Sequence, residues 1–106
     1  MKRKELLKIF NWKISSEMKL YKAGMLQKEK EEILASSYEI DYMVRIFESL
    51  RERSQKMDTG VLSQCIQISD LLASFYLAWL DAPGTGDEDL ELLLDKEIRR
   101  IVKNAA

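Results

Sequence analysis

Thr59-Gly60-Val61-Leu62-Ser63-Gln64-Cys65-Ile66-Gln67-Ile68-Ser69-Asp70-Leu71-Leu72-Ala73-Ser74-Phe75-Tyr76-Leu77-Ala78-Trp79-Leu80 carries the periodicity that decides the fold class. Val61, Cys65, Ile68, Leu72, Phe75, Tyr76 and Trp79 recur at three- and four-residue intervals, which places them along one face of a helix. A half-buried strand would alternate apolar and polar residues, and the short apolar runs here fit helical faces instead. Asp58 or Thr59 supplies the side-chain oxygen that an N-cap requires. Ser69-Asp70 offers a second cap part-way along, so two helices meeting at a kink also fit. The reading adopted is one helix from about Thr59 to Leu80.

The same rhythm extends toward both termini. Leu7, Phe10, Ile14, Met18, Tyr21 and Met25 form a stripe over a first helix from about Lys4 to Met25, with Gly24 as its point of fraying. Ile33, Ile40, Met43, Val44, Phe47 and Leu50 do the same for a second helix from about Glu29 to Arg53. Glu29, Glu31 and Glu32 open that helix, and Arg51 and Arg53 close it, the polarity that the helix dipole favours. Ser54 to Gly60 loses the period and reads as a loop. Ala82-Pro83-Gly84-Thr85-Gly86 is the clearest break, and Thr85 with Glu88 matches a capping box for a last helix. That helix should turn Leu90, Leu94, Ile98 and Ile101 inward.

A chain of 106 residues has the usual size of one domain, and 46% hydrophobic residues suffice for a real core. The expectation is therefore a single all-α domain over residues 1–106, a bundle of four or five antiparallel amphipathic helices joined by short loops. No run approaches the roughly 20 apolar residues that span a bilayer. The opening Met1-Lys2-Arg3-Lys4 is like a signal-peptide start, but Lys8 and Lys13 interrupt the apolar stretch that should follow. Cys65 has no partner for an intramolecular disulfide, which favours a reducing, cytoplasmic setting.

Reactive chemistry is sparse. With no histidine, the commonest general acid, general base and metal ligand is missing. Cys65 sits on the main stripe of its helix with no imidazole to activate it, so it reads as a small core residue. Asp87, Glu88, Asp89, Glu91 and Asp95 cluster near the start of the last helix, where acids are favoured without any cation. They lack the spacing of a calcium loop. No enzyme activity, cofactor or metal is expected.

Two surfaces remain as candidates. Tyr38, Asp41, Tyr42 and Arg45 follow the i, i+3, i+4, i+7 pattern on the second helix, bringing two phenols, a carboxylate and a guanidinium together. Tyr and Arg are enriched where proteins bind proteins. The bland alternative is two half-buried tyrosines beside a routine surface ion pair. On the first helix, Lys4, Lys8, Lys19 and Lys22 fall within roughly 60° of one another, with Ser15 among them and Trp12 at the border. Residues 1–30 carry nine basic and three acidic side chains, whereas the rest of the chain is net acidic. This basic face suits nucleic-acid phosphates, a membrane surface joined by Phe10 and Trp12, or simply solvent beside acidic neighbours.

Glu31-Glu32-Ile33-Leu34-Ala35-Ser36-Ser37-Tyr38-Glu39 followed by Ile40-Asp41-Tyr42-Met43-Val44-Arg45-Ile46 resembles the central helix of a family of small helical domains of unknown function. That family is common in gut Firmicutes and on their mobile genetic elements, and the resemblance runs on through Leu71–Tyr76 and Trp79. It implies an all-helical fold and a small accessory protein of a bacterial mobile element or phage, with no activity to carry over. The expected function is a non-enzymatic protein-interaction module whose partner is another protein, with a homodimer as one form. A nucleic-acid-binding accessory using the lysine face is the first alternative. An inhibitor of a host defence system is the second.

Overall fold

Local sequence sets where each helix starts and stops. In the computed structural model, which describes residues 1–82 and 90–104, the elements are α1 (Arg3–Leu26), α2 (Lys30–Ala35), α3 (Ser37–Arg53), a 3₁₀ turn (Ser54–Lys56), α4 (Thr59–Ile66), α5 (Leu71–Asp81) and α6 (Leu90–Asn104). The protein is all-α, with six α-helices among the described residues where four or five were expected. The Thr85–Glu88 capping box and Asp87, Glu88 and Asp89 lie outside the described residues.

The extra helices come from breaks in two segments that the periodicity joined. The first break falls at Ser36. Its hydroxyl donates to the Glu32 carbonyl one turn back (2.8 Å), a bond that competes with the backbone ladder and bends helices. The second falls between Ile66 and Leu71, where α4 and α5 meet at 94°. Asp70 there takes a left-handed backbone conformation (φ 50°, ψ 54°), one that aspartate tolerates better than most residues. Asp70 does not cap the new helix with its own side chain. The cap comes from α1: Glu17 Oε1 accepts the Leu72 N–H at 2.8 Å. One continuous helix from Thr59 to Leu80 is therefore wrong, because a carboxylate 55 residues away stabilises a second helix start.

Elsewhere the punctuation holds in part. Asp58 caps α4 through its carboxylate, which accepts the Val61 N–H at 2.9 Å. The Ser54–Gly60 stretch expected as loop contains the 3₁₀ turn and buries Met57. Gly24 lies inside α1 rather than ending it, and the chain leaves the helix after Leu26.

Helix α1 packs against α3, α4 and α5, and α6 covers α4 and α5. One core runs through all of them. Phe10, Ile14, Ile46, Leu50, Leu62, Leu72, Phe75 and Leu94 are among its sealed side chains. The expected stripes hold with small rotations. Leu6 replaces Leu7 at the centre of the α1 face, and Tyr42 and Ile46 are buried while Ile33, Ile40 and Val44 are only half-buried. In α6, Glu97 takes the inner position beside Leu94 and Ile101, its charge met by Arg100, and Ile98 sits at the rim.

Two arginines tie the elements together. Arg3 donates to the carbonyls of Met57 (2.8 Å), Gln55 (2.7 Å) and Ser54 (3.2 Å), closing the end of the 3₁₀ turn. Arg53, in the last turn of α3, pairs with both Glu91 and Asp95 of α6 and donates to the Glu91 carbonyl (3.0 Å). No single described helix is long and apolar enough to cross a membrane.

Candidate interaction site

The Tyr38, Asp41, Tyr42, Arg45 constellation assembles as spaced, and then extends beyond α3. Both tyrosines fall in the first two turns of α3, just after the Ser36 bend. Their rings sit 4.7 Å apart, and the Tyr42 ring then stacks on Trp79 of α5 at 4.8 Å and 22°. Trp79 Nε1 donates to the Tyr38 hydroxyl at 2.9 Å, so the three rings close into one unit. Offset aromatic pairs at such separations add about 0.5–1.5 kcal/mol beyond their buried area.

The two tyrosines have different surroundings. Tyr42 is core, 4% exposed, whereas Tyr38 is 53% exposed. Tyr38 is thus a surface ring fixed from behind at both its face and its hydroxyl. Arg45 is fixed as well. Its guanidinium lies 5.2 Å from the Tyr42 centroid, and its Nε is 3.2 Å from Asp41. The Asp41–Arg45 pair is exposed and contributes under about 1 kcal/mol by itself. It does limit where the guanidinium can go.

Beside this unit the remaining tyrosines gather. Tyr21 of α1 donates to Glu39 at 3.1 Å, and Tyr76 of α5 lies within electrostatic reach of Glu39 and Tyr38. All four tyrosines of the chain, with Trp79, therefore meet where α1, α3 and α5 adjoin. Burial, then the Glu39 hydrogen bond, holds the Tyr21 phenol above its ordinary range. Burial likewise raises Tyr76, with Glu39 adding to it. Both phenols stay protonated at neutral pH, as donors rather than nucleophiles. Glu39, Tyr21, Tyr76 and Trp79 were not among the sequence candidates. The signal that points to Tyr21 and Tyr76 is their place at the margin of an apolar stripe, where a ring is buried and a hydroxyl reaches out.

A cleft of about 260 Å³ opens beside Tyr21, with Glu17, Leu20, Met43 and Asp70 in its walls. Glu17 is already committed there, to the Leu72 N–H and to Lys13 Nζ at 2.8 Å. Among the described residues, no group of three or more Cys, Asp or Glu side chains is placed to hold a metal ion. Glu91 and Asp95 share the single charge of Arg53. Cys65 is fully buried, and burial pushes its thiol up to about 11 despite the nearby charge of Lys13.

The lysine face is also real. Lys4, Lys8, Lys19 and Lys22 are all exposed on the outer side of α1, and none forms an ion pair among the described residues. Trp12 is exposed next to them, but Phe10, which the sequence placed beside Trp12 at a membrane surface, is sealed in the core.

No family model, no curated protein and no solved structure matches this chain.

Proposed function

We propose that this chain is a non-enzymatic protein-interaction module that recognises another protein through the Tyr38, Asp41, Tyr42, Arg45 surface. The carrying observation is the immobilisation of Tyr38, whose exposed ring is packed on Tyr42 and whose hydroxyl is held by Trp79. Ordering a side chain at an interface costs about 0.5–1.5 kcal/mol, and a ring already held in place avoids most of that cost. Arg45, pinned by Asp41 and Tyr42, enjoys the same advantage. A small accessory protein of a bacterial mobile element or phage fits this role, since binding alone is then its activity.

A photo-crosslinking phenylalanine analogue at exposed Ser37, beside an intact Tyr38, tests the reading in the native host. It should capture a discrete protein that the same group at exposed Lys96 does not, and capture should fail when Arg45 is also replaced by alanine. Equal labelling from positions 37 and 96 would sink the proposal.

A further inference from the structure

Helix α1 presents two opposed apolar faces, and the core covers only one. On the outer side Trp12 is 72% exposed and Leu20 75%, with Ile9 part-exposed on the same arc. Lys8 lies one turn from Trp12, Lys19 and Leu20 point about 100° apart at the two sides of the arc, and Lys4 and Lys22 flank them toward the two ends. Glu5 is the acid on that arc. Described acidic groups of the same molecule do not neutralise these lysines.

We propose that the outer face of α1 docks, lying flat, on an anionic lipid surface, a role separate from the Tyr38 site. Charge complementarity argues for this occupant. Four ammonium groups with no ion-pair partner among the described residues reach the phosphate layer on flexible stems, while the indole and the aliphatic side chains sit deeper. Helix α1 is not apolar enough to cross a membrane and its inner face is buried in the core, so the contact is in-plane rather than spanning. Nucleic acid fits less well. The arc holds no arginine fork, and Ile9 and Leu20 would face a polyanion that offers them no apolar cover.

Sedimentation with vesicles, read together with tryptophan fluorescence, tests the proposal on the full chain. The protein should bind vesicles of equimolar phosphatidylcholine and phosphatidylglycerol, with a blue shift in emission, and should be released by salt. Trp79 is already buried, so the shift belongs to Trp12 and should vanish in Trp12→Phe. Replacing Lys8 and Lys19 together by alanine should weaken binding about 30-fold, at about 1 kcal/mol per lysine. These positions are exposed, and unchanged far-UV circular dichroism confirms that the variants fold. No binding to the anionic vesicles at low salt overturns the proposal. So does equal binding to pure phosphatidylcholine, or an oligonucleotide gel shift at lower protein concentration than vesicle binding requires. Tyr38→Ala should leave vesicle binding unchanged, so this proposal and the Tyr38 reading fail separately.

Discussion

Replacing Glu17 probes the contact that turns one expected helix into two. Its carboxylate accepts the Leu72 N–H at 2.8 Å and lies 2.8 Å from Lys13 Nζ, with both side chains near 15% exposure (16% for Lys13, 15% for Glu17). A hydrogen bond to a charged group contributes about 1.5–3 kcal/mol, and the alanine variant also orphans a half-buried N–H and leaves Lys13 unpaired. Glu17→Ala should therefore cost about 3 kcal/mol, a large share of the 5–15 kcal/mol typical of a domain. Glu17→Gln keeps an oxygen for Leu72 and loses only the charge, so about 1 kcal/mol is expected.

Urea unfolding followed by circular dichroism measures both variants. For an m-value of roughly 1–2 kcal/mol per molar, Glu17→Ala should lower the midpoint by about 2 M. Amide exchange locates the effect, since protection of the Leu72 amide should fall in the alanine variant and largely survive in the glutamine variant. The reasoning is refuted if Glu17→Ala stays within about 0.5 kcal/mol of the parent. A fully protected Leu72 amide in that variant refutes it equally.

Gly24→Ala should stabilise by about 0.5–1 kcal/mol and raise Tm by a few degrees, because a Cβ there meets no atom within 4 Å and the site is helical. A Tm fall would count against the placement of Gly24 inside α1. Arg3→Ala should cost about 2 kcal/mol by freeing the carbonyls of Ser54, Gln55 and Met57, and Arg3→Lys should restore only part of it because an ammonium lacks the guanidinium fork. Full rescue by lysine in urea unfolding would argue against that geometry. Stability should also fall with alkali. Cys65 (up to about 11), Tyr21 and Tyr76 all have raised folded values, so their contribution is complete below the unfolded values of about 9–10 and is lost as pH climbs through the folded ones. A urea midpoint that stays flat between pH 9 and 11, or that falls identically in Cys65→Ala and Tyr21→Phe, contradicts this.

Much of the fold was legible because the hydrophobic period is a local quantity. Phe10, Ile14, Met18, Met43, Leu50, Cys65, Leu72, Phe75, Trp79, Leu90, Leu94 and Ile101 were all assigned inward from spacing, and all are buried. What spacing cannot show is where a periodic run stops being straight. At Ser36 and Asp70 the apolar pattern continues across the break, since residues on both sides still face one core. The cause at Ser36 is a local hydroxyl bond, and Ser69-Asp70 did suggest a kink. The partner that makes the second break favourable, Glu17, belongs to another helix and leaves no trace near residue 70. Periodicity also placed Ile98 inward and passed over Glu97, which is the buried one. A carboxylate in the inner row reads as an error until Arg100, three residues on, turns toward it.

The candidate site was legible in part for the same reason. Tyr38, Asp41, Tyr42 and Arg45 lie on one helix, so their neighbourhood follows from i, i+3, i+4 geometry and needs no tertiary knowledge. Whether such a neighbourhood is core or surface depends on what α5 brings to it. Trp79 covers Tyr42 and leaves Tyr38 standing out, which divides two residues of the same type one turn apart into a buried anchor and an exposed probe. The patch thus holds one tyrosine in the core and one at the surface. The buried ring is what makes the exposed one rigid. If that dependence is correct, Tyr42→Phe, which keeps the stack, should preserve crosslinking from position 37, and Trp79→Phe, which removes the hydrogen bond to Tyr38, should weaken it even where the domain remains folded. Equal crosslinking from both variants would separate the two tyrosines and leave Tyr38 as an ordinary exposed side chain.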